Sequence, residues 1–174
     1  VTDGVGQSPN LLADEEQQMM HLLVCSNELD IEGLIAVTGK YLRKKTRPDL
    51  FRKLVDGYAK VEKNLGKHAD GWPAAAYLRS IIASGQPAYG IAAVGEGTSS
   101  PGSKLIARAL TKDDPRPVNV VVNAGSNPLA QSLRDLRGSV SPAELKALVA
   151  KLRVFENGAL NTGTPSTLEE ARST

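Results

Sequence analysis

Apolar and polar positions along the chain alternate between two periods. Residues 14 to 27 place Met19, Met20, Leu22, Leu23 and Val24 behind the acidic turn Asp14-Glu15-Glu16. That spacing, with negative charge at the positive end of the helix dipole, predicts a helix. Ile31 to Val37 is a short apolar run closed by Thr38-Gly39 and reads as a buried strand. Helical spacing returns from Asp49 to Leu65 through Leu50, Phe51, Leu54, Val55, Tyr58 and Val61, with Gly66 as the stop. Pro73 to Ser84 reads as a helix with proline in its first turn, ended by Gly85-Gln86-Pro87, and Ala88 to Val94 as a strand. Lys104 to Leu110 reads as a helix, Pro117 to Asn123 as a β-branched strand and Leu129 to Leu136 as a helix. A last helix runs from Ser141 to about Leu152, opened by the capping-box pair Ser141 and Glu144.

Strands and helices in this order predict an α/β fold, a mostly parallel sheet with helices on both faces. In such sheets ligands sit beyond the carboxyl ends of the strands, where Asp3, Thr38-Gly39 and Asn123-Ala124-Gly125 all fall. The domain is expected to span residues 1–155. Beyond it, residues 156–174 are rich in Thr, Ser, Gly and Pro and read as a polar tail or a displaced segment.

Composition narrows the partners. Twenty-one Lys plus Arg against nineteen Asp plus Glu leave a net charge of +2, too balanced to argue for nucleic acid or an anionic membrane. The run Lys40-Tyr41-Leu42-Arg43-Lys44-Lys45-Thr46-Arg47 reads as a solvated loop. No stretch approaches the ~20 apolar residues of a membrane span. Cys25 has no cysteine partner within the chain and, in the run Leu22-Leu23-Val24-Cys25, is expected to be buried. The chain opens at an apparent strand end without an initiator Met or a charged-then-apolar leader, as a processed or excerpted chain would. Localisation stays open for what reads as a soluble protein, with export as one option.

The chemistry concentrates near the start. Asp3 at a strand end, answered by Asp14 and Glu15 at the start of the next helix, is a costly grouping unless a cation or a proton occupies it. His21 and His68 lack motif partners, and Trp72 ahead of Pro73 reads as packing. The stretch from Gly95 to Lys104 is no phosphate loop, because Ser103 and Lys104 stand in the reverse of the order that loop requires. It reads as a loop beside the site that offers the hydroxyls of Ser99 or Ser103.

The order Thr2-Asp3-Gly4, Asp14-Glu15-Glu16-Gln17, Ser26-Asn27-Glu28-Leu29-Asp30-Ile31-Glu32-Gly33-Leu34-Ile35, Gly71-Trp72-Pro73, Ser84-Gly85-Gln86-Pro87 and Asn127-Pro128-Leu129-Ala130-Gln131 resembles the nucleoside-hydrolase-like family that includes cellulose-binding bacterial proteins. The likeness extends over residues 1 to 155, and the block from Asn27 to Ile35 is its most specific part. The resemblance implies a fold similar to that of inosine-uridine nucleoside hydrolases, which cleave N-glycosidic bonds with a calcium-bound water. It matches Asp3 to the first aspartate of those enzymes, a metal ligand and base, and Asp14 with Glu15 to the acidic pair that completes the Ca²⁺ site. Lys40, Asn123 and Asn127 fall at its substrate-binding positions, for a nucleoside or carbohydrate ligand. Family hydrolases are often oligomeric, so a homo-oligomer belongs to the same expectation.

Two function classes follow. One is a metal-assisted hydrolase of N-glycosidic or related glycosidic bonds. The other is a carbohydrate-binding or scaffold protein on the same fold that lacks a complete catalytic set. The second draws on three differences from the hydrolase pattern: ten residues between Asp3 and Asp14, Glu15 in place of a second aspartate, and Lys40 where an amide is usual.

Overall fold

The computed structural model describes residues 14–39 and 43–156, together with the backbone but not the side chains of Asp14 and Glu15. The elements in order are α1 (Asp14–Val24), a 3-10 turn (Ser26–Glu28), β1 (Leu34–Ala36), α2 (Pro48–Leu65), α3 (Ala75–Ser80), β2 (Ile82–Ser84), a second 3-10 turn (Ile91–Ala93), α4 (Pro101–Thr111), β3 (Val118–Val122), α5 (Asn127–Ser139), α6 (Pro142–Lys151) and β4 (Leu152–Glu156). The strands form two parallel pairs. Leu34, Ile35 and Ala36 of β1 lie opposite Ile82, Ala83 and Ser84 of β2, and β3 pairs with β4 from Val118 opposite Leu152 to Val122 opposite Glu156.

Successive strand residues face opposite sides, and the two sides carry separate cores. Leu34 and Ala36 pack with Met19 and Leu23 of α1, Phe51, Val55 and Tyr58 of α2 and Leu78 of α3. Ile35 and Val37 share the other core with Val120 and Val122 of β3, Ile106 and Leu110 of α4 and Leu129 and Leu133 of α5. Helices therefore cover β1 from both faces. The pair β3–β4 is covered on one face: Val121 and its register partner Phe155, 50% and 58% exposed, lie on the other.

Most predicted elements stand where the periodicity put them, with three corrections. The predicted helix over Pro73 to Ser84 stops at Ser80, and its last three residues form β2. The edge of β1 supplies a ladder that local propensity does not contain, and Gly85 N–H extends it to Ala36 O at 2.8 Å. Residues 88 to 94 form no strand. Gly90 takes φ 80° and a 3-10 turn follows, while the Asn127 amide claims the carbonyls of Ala88 and Gly90. Residues 152 to 156, read as a helix end and the start of a tail, form β4.

Cys25, expected inside, is exposed. Its apolar run lies on α1, where a turn of about 100° per residue buries Leu23 and turns Val24 and Cys25 outward. Gly66 does end α2, but with φ −61° and not in the left-handed conformation. The Ser141 capping box is present: Ser141 Oγ accepts from Glu144 N–H at 3.3 Å, and Glu144 Oε2 accepts from Ser141 N–H at 2.9 Å. Ser141 Oγ–H, donating to Glu144 Oε2 at 2.6 Å, together with Ser141 N–H holds the Glu144 carboxyl below its ordinary range.

Candidate functional site

The segments ahead of β1 and β3 are linked by ion pairs. Lys112 Nζ meets Glu32 Oε1 at 2.5 Å ahead of β1, and Arg116, ahead of β3, bridges Asp114 to Asp30. The Arg116 guanidinium holds the Asp114 carboxyl well below the usual carboxylate range, and Glu32 raises the Lys112 ammonium. Most of these side chains are well solvated, so the pairs contribute little stability.

The carboxyl ends of β1, β2 and β3 gather at the opposite edge. Thr38 Oγ1 donates to Ala88 O at 3.0 Å, and Asn127 Nδ2 donates to Gly90 O at 2.9 Å, so the loop after β2 is held by residues that follow β1 and β3. Gly102, in the first turn of α4, lies against Ser84 at the end of β2. A Cβ there would meet Ile35 Cγ2 at 2.6 Å and Ser84 O at 3.0 Å, so only glycine allows this approach. α1 begins at the same edge, because Gln18 near its start accepts a hydrogen bond from Asn123 Nδ2, just beyond β3. Asp14 and Glu15 precede Gln18 by about one helical turn, which brings the acidic start of α1 to the carboxyl ends of the strands.

The loop over residues 86 to 99 closes this edge. Gln131 of α5, fully buried, donates Nε2 to Gly95 O at 2.9 Å and accepts from Gly95 N–H at 2.9 Å. Its Oε1 also lies 2.8 Å from Thr98 Oγ1, and its Nε2 donates to Asp135 Oδ1 at 2.7 Å. Asp135 in turn accepts from Ser99 Oγ at 2.7 Å. Asn127, Gln131 and Asp135 are four residues apart, so α5 presents one polar stripe to the whole loop. Gln86, 2% exposed, donates Nε2 to Thr98 O at 3.3 Å, while its Oε1 has no hydrogen-bond partner among the described residues.

A family model described as "Cellulose-binding Sde182, nucleoside hydrolase-like domain" matches residues 9–165. The chain belongs to this family. A solved structure of a nucleoside hydrolase-related hypothetical protein from Saccharophagus degradans, described as associated with carbohydrate metabolism, superposes with a TM-score of 0.82 at 39% sequence identity. That match covers 89% of this chain and 37% of the other, so the chain spans little more than a third of the relative's length. No curated protein matches. The nucleoside hydrolase-like fold is thus shown by both comparisons and by the parallel strand pairs.

Within this nucleoside hydrolase-like domain the sequence-predicted residues fare unequally. Asn123 and Asn127 come to one edge, but Asn127 is buried with its Nδ2 on the loop carbonyls. Asp3 and Lys40 lie outside the described residues, as do the side chains of Asp14 and Glu15. Among the described residues no three His, Cys, Asp or Glu side chains are grouped to hold a metal. Ser99 and Ser103 are engaged elsewhere, Ser99 on Asp135 and Ser103 in a capping box with Ser100 at the start of α4. No described helix is long and apolar enough to cross a membrane. Sequence reasoning missed Gln131 and Asp135, whose signal was their four-residue spacing from Asn127 in a helix that otherwise reads as amphipathic.

Proposed function

We propose that the domain binds a neutral carbohydrate at the carboxyl edge of its strands, between the loop over residues 86 to 99 and the start of α1. The observation that carries this reading is the lining. Asn123, half-buried, presents its amide there beside the exposed amide of Gln18, matching the mixed donors and acceptors of a polyol, while buried Thr38, Asn127 and Gln131 hold the loop that forms the wall. The family description, cellulose-binding, agrees with a glycan ligand.

A second reading, metal-assisted hydrolysis of an N-glycosidic or related glycosidic bond, is favoured by one observation: the acidic first turn of α1 lies beside Asn123 at that same edge. In it Asp3 acts as base and ligand, Asp14 and Glu15 complete a Ca²⁺ site, and Lys40, Asn123 and Asn127 serve a nucleoside or sugar. Carboxylate oxygens suit this hard cation, which would supply a water of lowered pKa. Asn127 then acts through the loop it holds.

One experiment separates the readings. The chain is tested for retention on insoluble cellulose and for sugar release from a nucleoside panel, each with Ca²⁺ and with chelator. Binding that resists the chelator, weakened about tenfold by Asn123→Ala, which corresponds to roughly 1.4 kcal/mol, is the expected result. Sugar release that needs Ca²⁺ and disappears in Asp3→Asn would move the conclusion to the hydrolase. In that case Ca²⁺ at one hundred times its Kd should also stabilise the fold by about 2.7 kcal/mol. Neither retention nor release would reject both readings.

A further inference from the structure

Three hydrogen bonds converge on the carbonyls either side of Tyr89. Thr38 Oγ1 donates to Ala88 O at 3.0 Å, and Asn127 Nδ2 donates to Ala88 O at 3.4 Å and to Gly90 O at 2.9 Å. Both donor residues are 2% exposed, and they follow different strands, Thr38 after β1 and Asn127 after β3. Gly90 completes the turn at φ 80°, a conformation that strains any residue with a side chain. The neighbouring side chains gain little packing from this restraint, since Pro87, Ala88, Ile91 and Ala92 are all exposed. The side chain it positions is that of Tyr89, which is half-buried.

Arg43, in the loop after β1, places its guanidinium carbon over this ring, 5.3 Å from the centroid. Arg43 is exposed and Tyr89 half-buried, so the guanidinium covers the solvent side of the ring. A cation on a partly solvated aromatic face is held weakly. The carboxyl edge thus carries an aromatic face with a fixed backbone beneath it and a loose cover above.

From this geometry we infer that Tyr89 is a stacking platform for one sugar ring of the ligand and that Arg43 is its cover, displaced when the sugar binds. The inference rests on the carbohydrate reading of this edge and adds what hydrogen bonds do not supply. The amides of Asn123 and Gln18 match hydroxyls, whereas a pyranose also has C–H faces to bury. In a β-linked glucose unit the hydroxyls are equatorial and the ring C–H bonds axial, so both faces are flat and apolar. Polarised C–H groups seek the negative face of an aromatic ring, the same surface that attracts the guanidinium. Sugar and cation therefore compete for one face. Tyrosine has few side-chain torsions and the backbone here is already fixed, so little conformational entropy is lost when the sugar arrives.

Isothermal titration of the full chain with cellohexaose, a soluble fragment of cellulose, tests both parts. Tyr89→Ala and Tyr89→Leu should each weaken binding about tenfold, while Tyr89→Phe, which keeps the ring, should stay within about twofold of the unmodified chain. Arg43→Ala should tighten binding about two- to fivefold, because the weak contact no longer has to be broken. Tyr89→Leu keeps an apolar side chain, so its loss should come with an unchanged urea midpoint, which a merely structural role for the ring would shift. Binding that survives both Tyr89→Ala and Tyr89→Leu would overturn the platform alone, and Arg43→Ala that binds no tighter would overturn the cover. An unmodified chain that does not bind cellohexaose would reject the carbohydrate reading of the edge and the platform with it.

Discussion

Phe51→Ala should lower the unfolding free energy by about 3 to 5 kcal/mol, read from the urea midpoint at unchanged slope. Phe51 is 1% exposed, at the point where α2 meets α1 and the sheet, with Met19, Leu23, Leu34 and Val55 in the same cluster. Removing the ring forfeits its transfer free energy and opens a void among Met19, Leu23, Leu34 and Val55. A loss below about 1 kcal/mol would mean that Phe51 faces an unfilled space and contributes little packing. Phe51→Leu, which keeps most of the buried surface, should cost about 1 to 1.5 kcal/mol.

Much of this fold is legible from periodicity because the helices are long and amphipathic. Leu50 to Val61 and Leu129 to Leu136 carry spacing that few other structures satisfy, and both became helices facing the cores expected of them. The errors fall where a partner decides. Ile82-Ala83-Ser84 continues a helical pattern, but β1 is there to pair with it, so three residues leave the helix. Leu152 to Glu156 lacks alternation strong enough to announce a strand, and β3 supplies the ladder. Ala88 to Val94 looks extended, but the turn is set by an Asn127 amide 37 residues away from Gly90.

The candidate site was legible in its location and less so in its parts. The carboxyl edge follows from the βα alternation alone, and Asn123 and Asn127 reached it. What each amide does depends on its neighbours: Asn127 is consumed by two loop carbonyls, while Gln131 and Asp135, read as ordinary helix residues, hold the far half of the loop. Polar residues four apart on a helix usually mark a solvated face. Here the stripe is covered, because a loop with no ladder of its own needs partners for its backbone groups.

Gln131→Leu tests that account. The substitution keeps the side-chain volume close to its original value while removing every hydrogen bond that Gln131 makes. Gly95 N–H retains only Thr98 Oγ1, and Gly95 O only the same hydroxyl. One hydroxyl must then serve a half-buried donor and a half-buried acceptor, and Asp135 Oδ1 loses its amide donor. Unsatisfied buried groups cost about 1 to 3 kcal/mol each, so a total loss of about 2 to 4 kcal/mol is expected. The loss should be local, because α5 keeps Leu129, Leu133 and Leu136 in the core, and the loop can open without unfolding it. Amide hydrogen exchange should therefore quicken across residues 94 to 99, while β3 and the core of α5 keep their protection. If the loop is one wall of the carbohydrate site, cellulose retention should fall in the same variant. Unchanged exchange over residues 94 to 99 would show that the loop is held by its own contacts, and that the stripe on α5 is not what positions it.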